Sequence, residues 1–120
     1  MESSYEKVDK SLKSFLKQIK GRNTRSNKTD VYRAIKKKGS TNRDLIKSTK
    51  LPDRTVTSRI SALMDLGIVE VIGKQTSFSS AKGESIYVIQ ENPEKIKQNQ
   101  IARAELKIAR LKKQLSKFGL

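Results

Sequence analysis

The sequence predicts a mainly α-helical protein with one small β-hairpin. Apolar side chains recur at steps of three and four residues in several segments, which is the spacing of one face of an α-helix. Two short segments, 68–72 and 85–90, are instead rich in β-branched residues, as strands are. The polar stretch 73–83 between them begins and ends with glycine and predicts a long hairpin loop. The resulting fold class is α+β, with helices in the majority.

The first section, 1–21, is predicted to be an amphipathic helix. Ser3 and Glu6 match the capping-box spacing, in which a hydroxyl and a carboxylate satisfy the exposed amides of the first turn. Gly21 marks the expected end of the helix, and a basic linker, 22–28, follows. One apolar stripe runs along the helix and is formed by Tyr5, Val8, Leu12, Phe15 and Ile19.

The central section, 29–91, is predicted to hold three short helices followed by the hairpin. The first helix ends at Gly39, and a second capping box, Thr41 with Asp44, opens the next one. A third helix begins near Asp53. Its core-facing side is formed by Val56, Ile60 and Leu63.

The last section, 92–120, predicts a long helix. Asn92, Pro93 and Glu94 supply a cap, a first-turn proline and a first-turn acid in the order that helices favour. Such a helix is too long to bury itself against so small a domain, so we expect it to pair with a second copy in a homodimer. The predicted dimerisation seam alternates steps of three and four and is formed by Ile101, Ala104, Ile108, Leu111, Leu115 and Phe118.

The sequence leaves the orientation of that dimer open. A parallel pairing would set Lys107 against Lys112 of the second copy, and like charges repel. An antiparallel pairing avoids this contact, and so does packing against the apolar stripe of the first helix. A rival interpretation is a basic helix that is solvated or lies on a membrane surface.

Positive charge dominates the composition. The 120 residues include 27 Lys and Arg against 12 Asp and Glu, which gives a net charge of +15. Such an excess attracts polyanions, either nucleic acid or an anionic membrane surface. No apolar run is long enough for a membrane span, and the first residues lack the apolar core of a secretory signal. Since cysteine is also absent, we expect a cytoplasmic protein with no membrane partner.

The residues that most enzymes use are missing. Without histidine and cysteine, the chain lacks the commonest general base, the thiol nucleophile and the usual zinc ligands. Its carboxylates show no clustered pattern suited to a metal ion or to an acid–base pair. We therefore expect no enzymatic activity and no cofactor.

The stretch 41–69, TNRDLIKSTKLPDRTVTSRISALMDLGIV, closely resembles the winged helix-turn-helix superfamily. The most specific parts of the resemblance are the runs 51–56 and 63–67. The whole layout looks most like dimeric regulators of the MarR type, in which dimerising terminal helices flank the winged domain. Two positions depart from the pattern, since Ile46 stands where a small residue is usual and Lys50 where glycine is usual. The resemblance implies a winged helix-turn-helix fold with N- and C-terminal flanking helices, and binding to double-stranded DNA.

The third helix of the central section is the expected recognition helix. At 100° per residue, Arg54, Ser58 and Ser61 point away from its core-facing side, and no large apolar residue shares their face. Short hydroxyl side chains let a helix enter the major groove, and arginine can bond to O6 and N7 of guanine together. Arg59 lies nearer the core side, which suits a phosphate contact or an internal ion pair. The expected DNA-binding residues of this helix are Arg54, Thr55, Thr57, Ser58, Arg59 and Ser61.

Contacts to the DNA backbone are expected on two neighbouring elements. The start of the preceding helix commonly meets a phosphate, and the outer part of the hairpin, 73–83, called the wing below, can lay lysines and hydroxyls along the backbone. These residues are Asn42, Arg43 and Lys47 on the helix, and Lys74, Gln75, Ser77 and Lys82 on the wing. A merely solvated helix face and a disordered hairpin tip are the alternatives.

The function predicted from these residues is sequence-specific transcriptional regulation by a homodimer bound to double-stranded DNA. One alternative is a DNA organiser, or a replication or partition accessory protein, with the same fold and little sequence preference. Another is an interaction module in which the wing and the helix contact protein.

Overall fold

The structure, a computed structural model, describes residues 4–21, 26–77, 80–117 and 119, and for 4–6, 75–77 and 80–83 it describes the backbone alone. Within these ranges the chain forms five helices and one antiparallel sheet of two strands. The prediction of a mainly helical α+β protein is confirmed. In chain order the elements are α1 (Ser4–Lys20), α2 (Asn27–Ala34), α3 (Asn42–Thr49), α4 (Asp53–Asp65), β1 (Val69–Ser77), β2 (Ser80–Ile89) and α5 (Pro93–Lys117).

Capping boxes hold the starts of two helices. The backbone N–H of Thr29 donates to Ser26 Oγ over 3.2 Å, and the N–H of Ser26 donates to Thr29 Oγ1 over 2.8 Å. The same reciprocal pair joins Thr41 and Asp44 at the start of α3, as predicted. Because the first of these caps nucleates a helix, α2 begins at Asn27, inside the segment that the sequence suggested was a linker.

The buried core is built from one face of each of the first four helices. Its fully covered apolar side chains include Val31 on α2, Leu45 on α3 and the predicted row on α4, which is Val56, Ile60 and Leu63. Leu66, Ile68 and Val69 extend the core to the start of β1. Truncating one such residue to alanine typically lowers the free energy of unfolding by about 2–5 kcal/mol. This cluster therefore holds α4 in place, with one face buried and the opposite face exposed.

The apolar stripe of α1 is covered by this same core. Phe15 is buried and meets the ring of Tyr32 edge to face, with the ring centroids 5.4 Å apart. At the end of α1, the guanidinium of Arg33 donates to the carbonyls of Gln18 and Ile19 over 3.4 and 3.3 Å, which satisfies groups that a helix end leaves open. The described part of the stripe therefore packs against the core of its own domain, and its pairing with the last helix of a second copy stays a prediction.

A tight turn joins α3 to α4. Lys50 adopts the left-handed conformation, with φ of 60°, and its N–H donates to the carbonyl of Ile46 over 2.8 Å. The hydroxyl of Thr49 donates to the carbonyl of Leu45 over 2.6 Å and accepts from the N–H of Leu51 over 3.3 Å. These bonds hold a lysine where glycine is usual, at a cost of about 1 kcal/mol or more in backbone strain.

The strands of the hairpin are longer than predicted. The sequence suggested a loop over 73–83, whereas β1 continues to Ser77 and β2 starts at Ser80. The expectation of a long loop was wrong because backbone groups pair along an antiparallel ladder whatever the polarity of the side chains. The register sets Val69 against Ile89 and Lys74 against Ser85, with an irregularity next to Gly73.

One residue between α2 and α3 pairs with the hairpin from the side. The N–H of Ser40 donates to the carbonyl of Tyr87 over 2.9 Å, and the N–H of Tyr87 donates back to the carbonyl of Ser40 over 2.8 Å. Gly39 leads into this bridge at a φ of 101°, and any Cβ there would collide with the side chain of Ile86. The bridge places the start of α3 beside β2.

The long helix α5 is docked on the end of α4 by contacts that extend as far as Lys107. Gln100 is buried and donates to the carbonyl of Leu66 over 2.9 Å, while Asn99 donates to the carbonyl of Gly67 over 3.1 Å. Arg103 and Lys107 bind Asp65. Beyond Lys107, every side chain of the helix through Lys117 is exposed.

Candidate nucleic-acid interface

The outward face of α4 carries the side chains that the sequence assigned to it. Arg54, Thr57, Ser58, Arg59 and Ser61 are exposed and Thr55 is half-buried. The opposite side of the same helix forms the buried row described above, so the helix has one buried and one exposed face. The exposed face consists of hydroxyls and guanidinium groups, together with the carboxylate of Asp53 in the first turn, where it complements the helix dipole.

Thr57 is tied into a local network at the start of α4. Its hydroxyl accepts a hydrogen bond from Asn42 Nδ2 over 3.1 Å and donates to Asp53 Oδ1 over 3.4 Å. Asn42, expected to contact a phosphate, instead links the first turn of α3 to α4. Its Oδ1 is buried and has no partner among the described residues. Both side chains therefore position the two helices relative to each other.

Ser61 belongs to the junction of α4 and α5. Its Oγ accepts a hydrogen bond from Nη2 of Arg103 over 3.1 Å. The sequence pattern gave no sign of this contact, because the two residues lie 42 positions apart. Of the six residues predicted on α4, Arg54, Ser58 and Arg59 are the three whose side chains are exposed and, within the described ranges, make no hydrogen bond or ion pair.

Arg59 shares a cationic corner with Lys28, which sequence reasoning missed. The ammonium of Lys28 lies 5.0 Å from the centroid of the Phe15 ring. Burial lowers the pKa of Lys28 below its usual value, and the positive charge of Arg59 lowers it further. An anion bound here would favour the charged form of Lys28 and so offset both effects. The cap at Ser26 is the signal that could have placed Lys28 in a helix instead of a linker.

The two elements beside α4 supply further cations. Arg43 at the start of α3 pairs with Glu84 of β2, with Nε 3.5 Å from Oε1. Lys47 on α3 and Lys74 on β1 are exposed. The remaining predicted wing residues, Gln75, Ser77 and Lys82, have side chains outside the described part of the structure.

The predicted dimerisation seam is present on α5 as an exposed apolar row. Ile108, Leu111 and Leu115 are 53%, 58% and 50% exposed, although each is a large apolar side chain. Ile101 and Ala104, nearer the domain, are half-buried. Phe118 lies outside the described residues. Because this part of α5 packs against nothing in the described structure, its apolar row is left in contact with water, and exposed apolar patches of this kind are typical of interaction sites.

Other kinds of site are not found in the described part of the chain. No three His, Asp or Glu side chains come close enough there to hold a metal ion. None of the described helices has the length and apolar character needed to cross a membrane. Comparison of the chain with protein-family models, curated proteins and solved structures gives no match.

Proposed function

We propose that this chain is a winged helix-turn-helix protein that binds double-stranded DNA as a homodimer and regulates transcription by reading a specific sequence. The observation that carries the proposal is the outward face of α4, on which Arg54 and Ser58 are exposed opposite a fully buried apolar row. A helix that buries one face in its own domain and exposes short polar side chains on the opposite face is suited to the major groove.

The order of elements supports this assignment. A helix, a single bridged residue, two helices joined by a tight turn and a hairpin follow one another along the chain. In the proposed fold, α3 and α4 form the helix-turn-helix, Ser40 takes the place of a short first strand, and the outer part of the hairpin is the wing. The left-handed Lys50 supplies the turn between the two helices.

Each side chain then has a definite role. Arg54 donates to O6 and N7 of a guanine, and Ser58 contacts a neighbouring base edge. Lys47, Lys74 and the Lys28–Arg59 corner bind phosphates and set the register of the protein on the duplex. The net charge of +15 provides the attraction that brings the chain to DNA. The proposed role implies a cytoplasmic location and needs neither catalysis nor a cofactor.

The homodimer is proposed from the exposed row on α5. Covering Ile108, Leu111 and Leu115 with the same residues of a second copy removes apolar surface from water, at about 25 cal/mol per Å². A symmetric pair would also offer two copies of α4 to two half-sites of a palindrome. One α4 that contacts bases through Arg54 and Ser58 reads few base pairs, and two copies double that number.

One observation favours a DNA organiser of low specificity as the second candidate. Thr57 and Ser61 are both engaged within the protein, which leaves a short list of side chains for base contacts. Binding would then rest on phosphate contacts, which carry no sequence information by themselves.

Affinity capture of fragmented genomic DNA on the full-length protein, followed by sequencing, tests the two candidates. A regulator enriches fragments that share a palindromic motif. An organiser retains DNA with uniform coverage. Failure to retain any DNA at low salt contradicts both candidates and favours a protein-interaction module.

A further inference from the structure

The helix α5 has two separate faces. One face holds its own domain through Ile96, Gln100 and Arg103. The exposed apolar row lies about 100° around the helix from that face, as the spacing of 100° per residue requires. Docking of α5 on its own domain therefore leaves the row uncovered over its outer half.

Two charges with no ion-pair partner among the described residues flank the row on one side. Glu105 and Lys112 are exposed and stand one heptad apart, at equivalent positions beside the seam. Neither has an opposite charge three or four residues away on α5, so neither is neutralised within the helix. On the other side of the row, Lys107 is already bound to Asp65 of its own chain over 3.0 Å.

The charges fit only one of the two possible pairings with a second copy. In a parallel pair, each flanking residue faces the one five positions away, so Lys112 meets Lys107 and Glu105 meets Gln100. In an antiparallel pair with Ile108 opposite Leu111, residues on the same flank face each other. Glu105 of each copy then meets Lys112 of the other, and Ala104 packs against the larger Leu115.

We infer that α5 binds a second copy of itself in antiparallel orientation, with Ile108 opposite Leu111 and two reciprocal Glu105–Lys112 ion pairs. The inference rests on the homodimer of the proposed function and specifies its geometry. In this arrangement the two Gln100 residues, which mark the docked domains, lie about 29 Å apart along the helix axis. The two domains therefore lie towards opposite ends of the paired helices.

Charge reversal at the two flanking positions tests the pairing without DNA. Lys112→Glu sets like charges together twice per dimer and should raise the dimer dissociation constant about tenfold, as should Glu105→Lys. The double variant restores both ion pairs in reverse and should return to within about threefold of the original. Lys113→Glu is the matched control, because it makes the same change on the opposite side of α5 and should have little effect.

Sedimentation equilibrium at low salt measures these constants, and circular dichroism checks that each variant keeps its helix content. Tighter association of Lys112→Glu would overturn the inference, because Glu at 112 would then face Lys107 of a parallel partner. A full-length protein that stays monomeric at every concentration would overturn the inference and the homodimer together, while leaving DNA binding to be judged separately by gel shift.

Cysteine cross-linking gives the register directly, since the chain has no cysteine of its own. Ala104→Cys and Leu115→Cys proteins should each remain uncrosslinked on mild oxidation, and a mixture of the two should form a disulfide-linked pair. A disulfide in Ala104→Cys alone would overturn the antiparallel orientation. No cross-link in a mixture that sediments as a dimer would overturn the register.

Discussion

Arg103 on α5 donates from Nε to Oδ1 of Asp65, the last residue of α4, over 3.0 Å, and its Nη2 lies 3.0 Å from the same oxygen. The second carboxylate oxygen of Asp65 accepts from Lys107 over 3.0 Å. Nη2 of the same guanidinium also reaches Ser61. One side chain thus fixes the direction of the proposed dimer helix relative to the proposed recognition helix.

Arg103→Ala should lower the free energy of unfolding by about 1–3 kcal/mol, because the half-buried carboxylate of Asp65 loses its bond from the guanidinium and keeps only the one from Lys107. Urea unfolding followed by circular dichroism measures the change. Arg110→Ala is the control, since Arg110 is exposed on the same helix, and it should stay within about 0.5 kcal/mol of the original. Equal losses in the two variants would show that the junction contributes nothing beyond helix propensity.

Lys28→Gln should raise thermal stability slightly and weaken DNA binding. Because the pKa of Lys28 is lowered, folding disfavours its charged form. This penalty is present at neutral pH, declines as the pH rises from the folded-state pKa, and is gone above the ordinary pKa of the unfolded lysine. Bound phosphate would offset the penalty, so the lysine is useful only in the complex. A thermal melt and a gel shift on the same preparations measure the two effects.

Lys36→Gln makes the same change on an exposed lysine and is the control for Lys28→Gln. It should leave the melting temperature unchanged. A loss of stability in Lys28→Gln, with DNA affinity intact, would contradict both parts of this prediction. The contact of the ammonium with Phe15 would then stabilise the fold by more than burial destabilises it, and Lys28 would have no role in phosphate binding.

Leu111→Asp should give a folded monomer with much weaker DNA binding, since it places a charge in the middle of the apolar row. Light scattering measures the mass, and a gel shift measures affinity. Leu106→Asp, on the opposite side of α5 and also exposed, is the control and should remain a dimer. Dimers that persist in Leu111→Asp would place the interface elsewhere.

Local patterns in the sequence were enough to predict the helices that build the candidate site. The cap at Thr41 and the row from Val56 to Leu63 involve residues a few positions apart, and such signals do not depend on the rest of the fold. The burial of that row and the exposure of Arg54 and Ser58 on the other side of α4 agree with the sequence pattern.

The features that the sequence did not reveal depend on distant partners. The bond from Arg103 to Ser61 and the bridge between Ser40 and Tyr87 join residues more than 40 positions apart, and no periodicity encodes them. The outer parts of β1 and β2 are polar, so they lack the alternation of apolar and polar residues that predicts a strand. They are strands because they pair with each other.

DNA affinity should fall steeply with salt. If a dimer neutralises roughly 6–10 phosphates, the logarithm of the binding constant falls against the logarithm of salt concentration with a slope of about −5 to −9. Fluorescence anisotropy with labelled duplex over a series of salt concentrations measures the slope. A slope near zero would contradict binding through phosphates, whichever of the two DNA-binding functions is considered.

Base reading by Arg54 is the centre of the proposed function, and Lys74, an exposed lysine on β1, provides the comparison. The direct measurement is the affinity of Arg54→Ala and Lys74→Ala for a captured motif and for random duplex, with helix content checked in both. Arg54→Ala should cost about 1–3 kcal/mol on the motif and little on random DNA, while Lys74→Ala should weaken both alike and make the salt slope shallower by about one. Equal weakening of both DNAs by Arg54→Ala would contradict base reading and leave the organiser as the function.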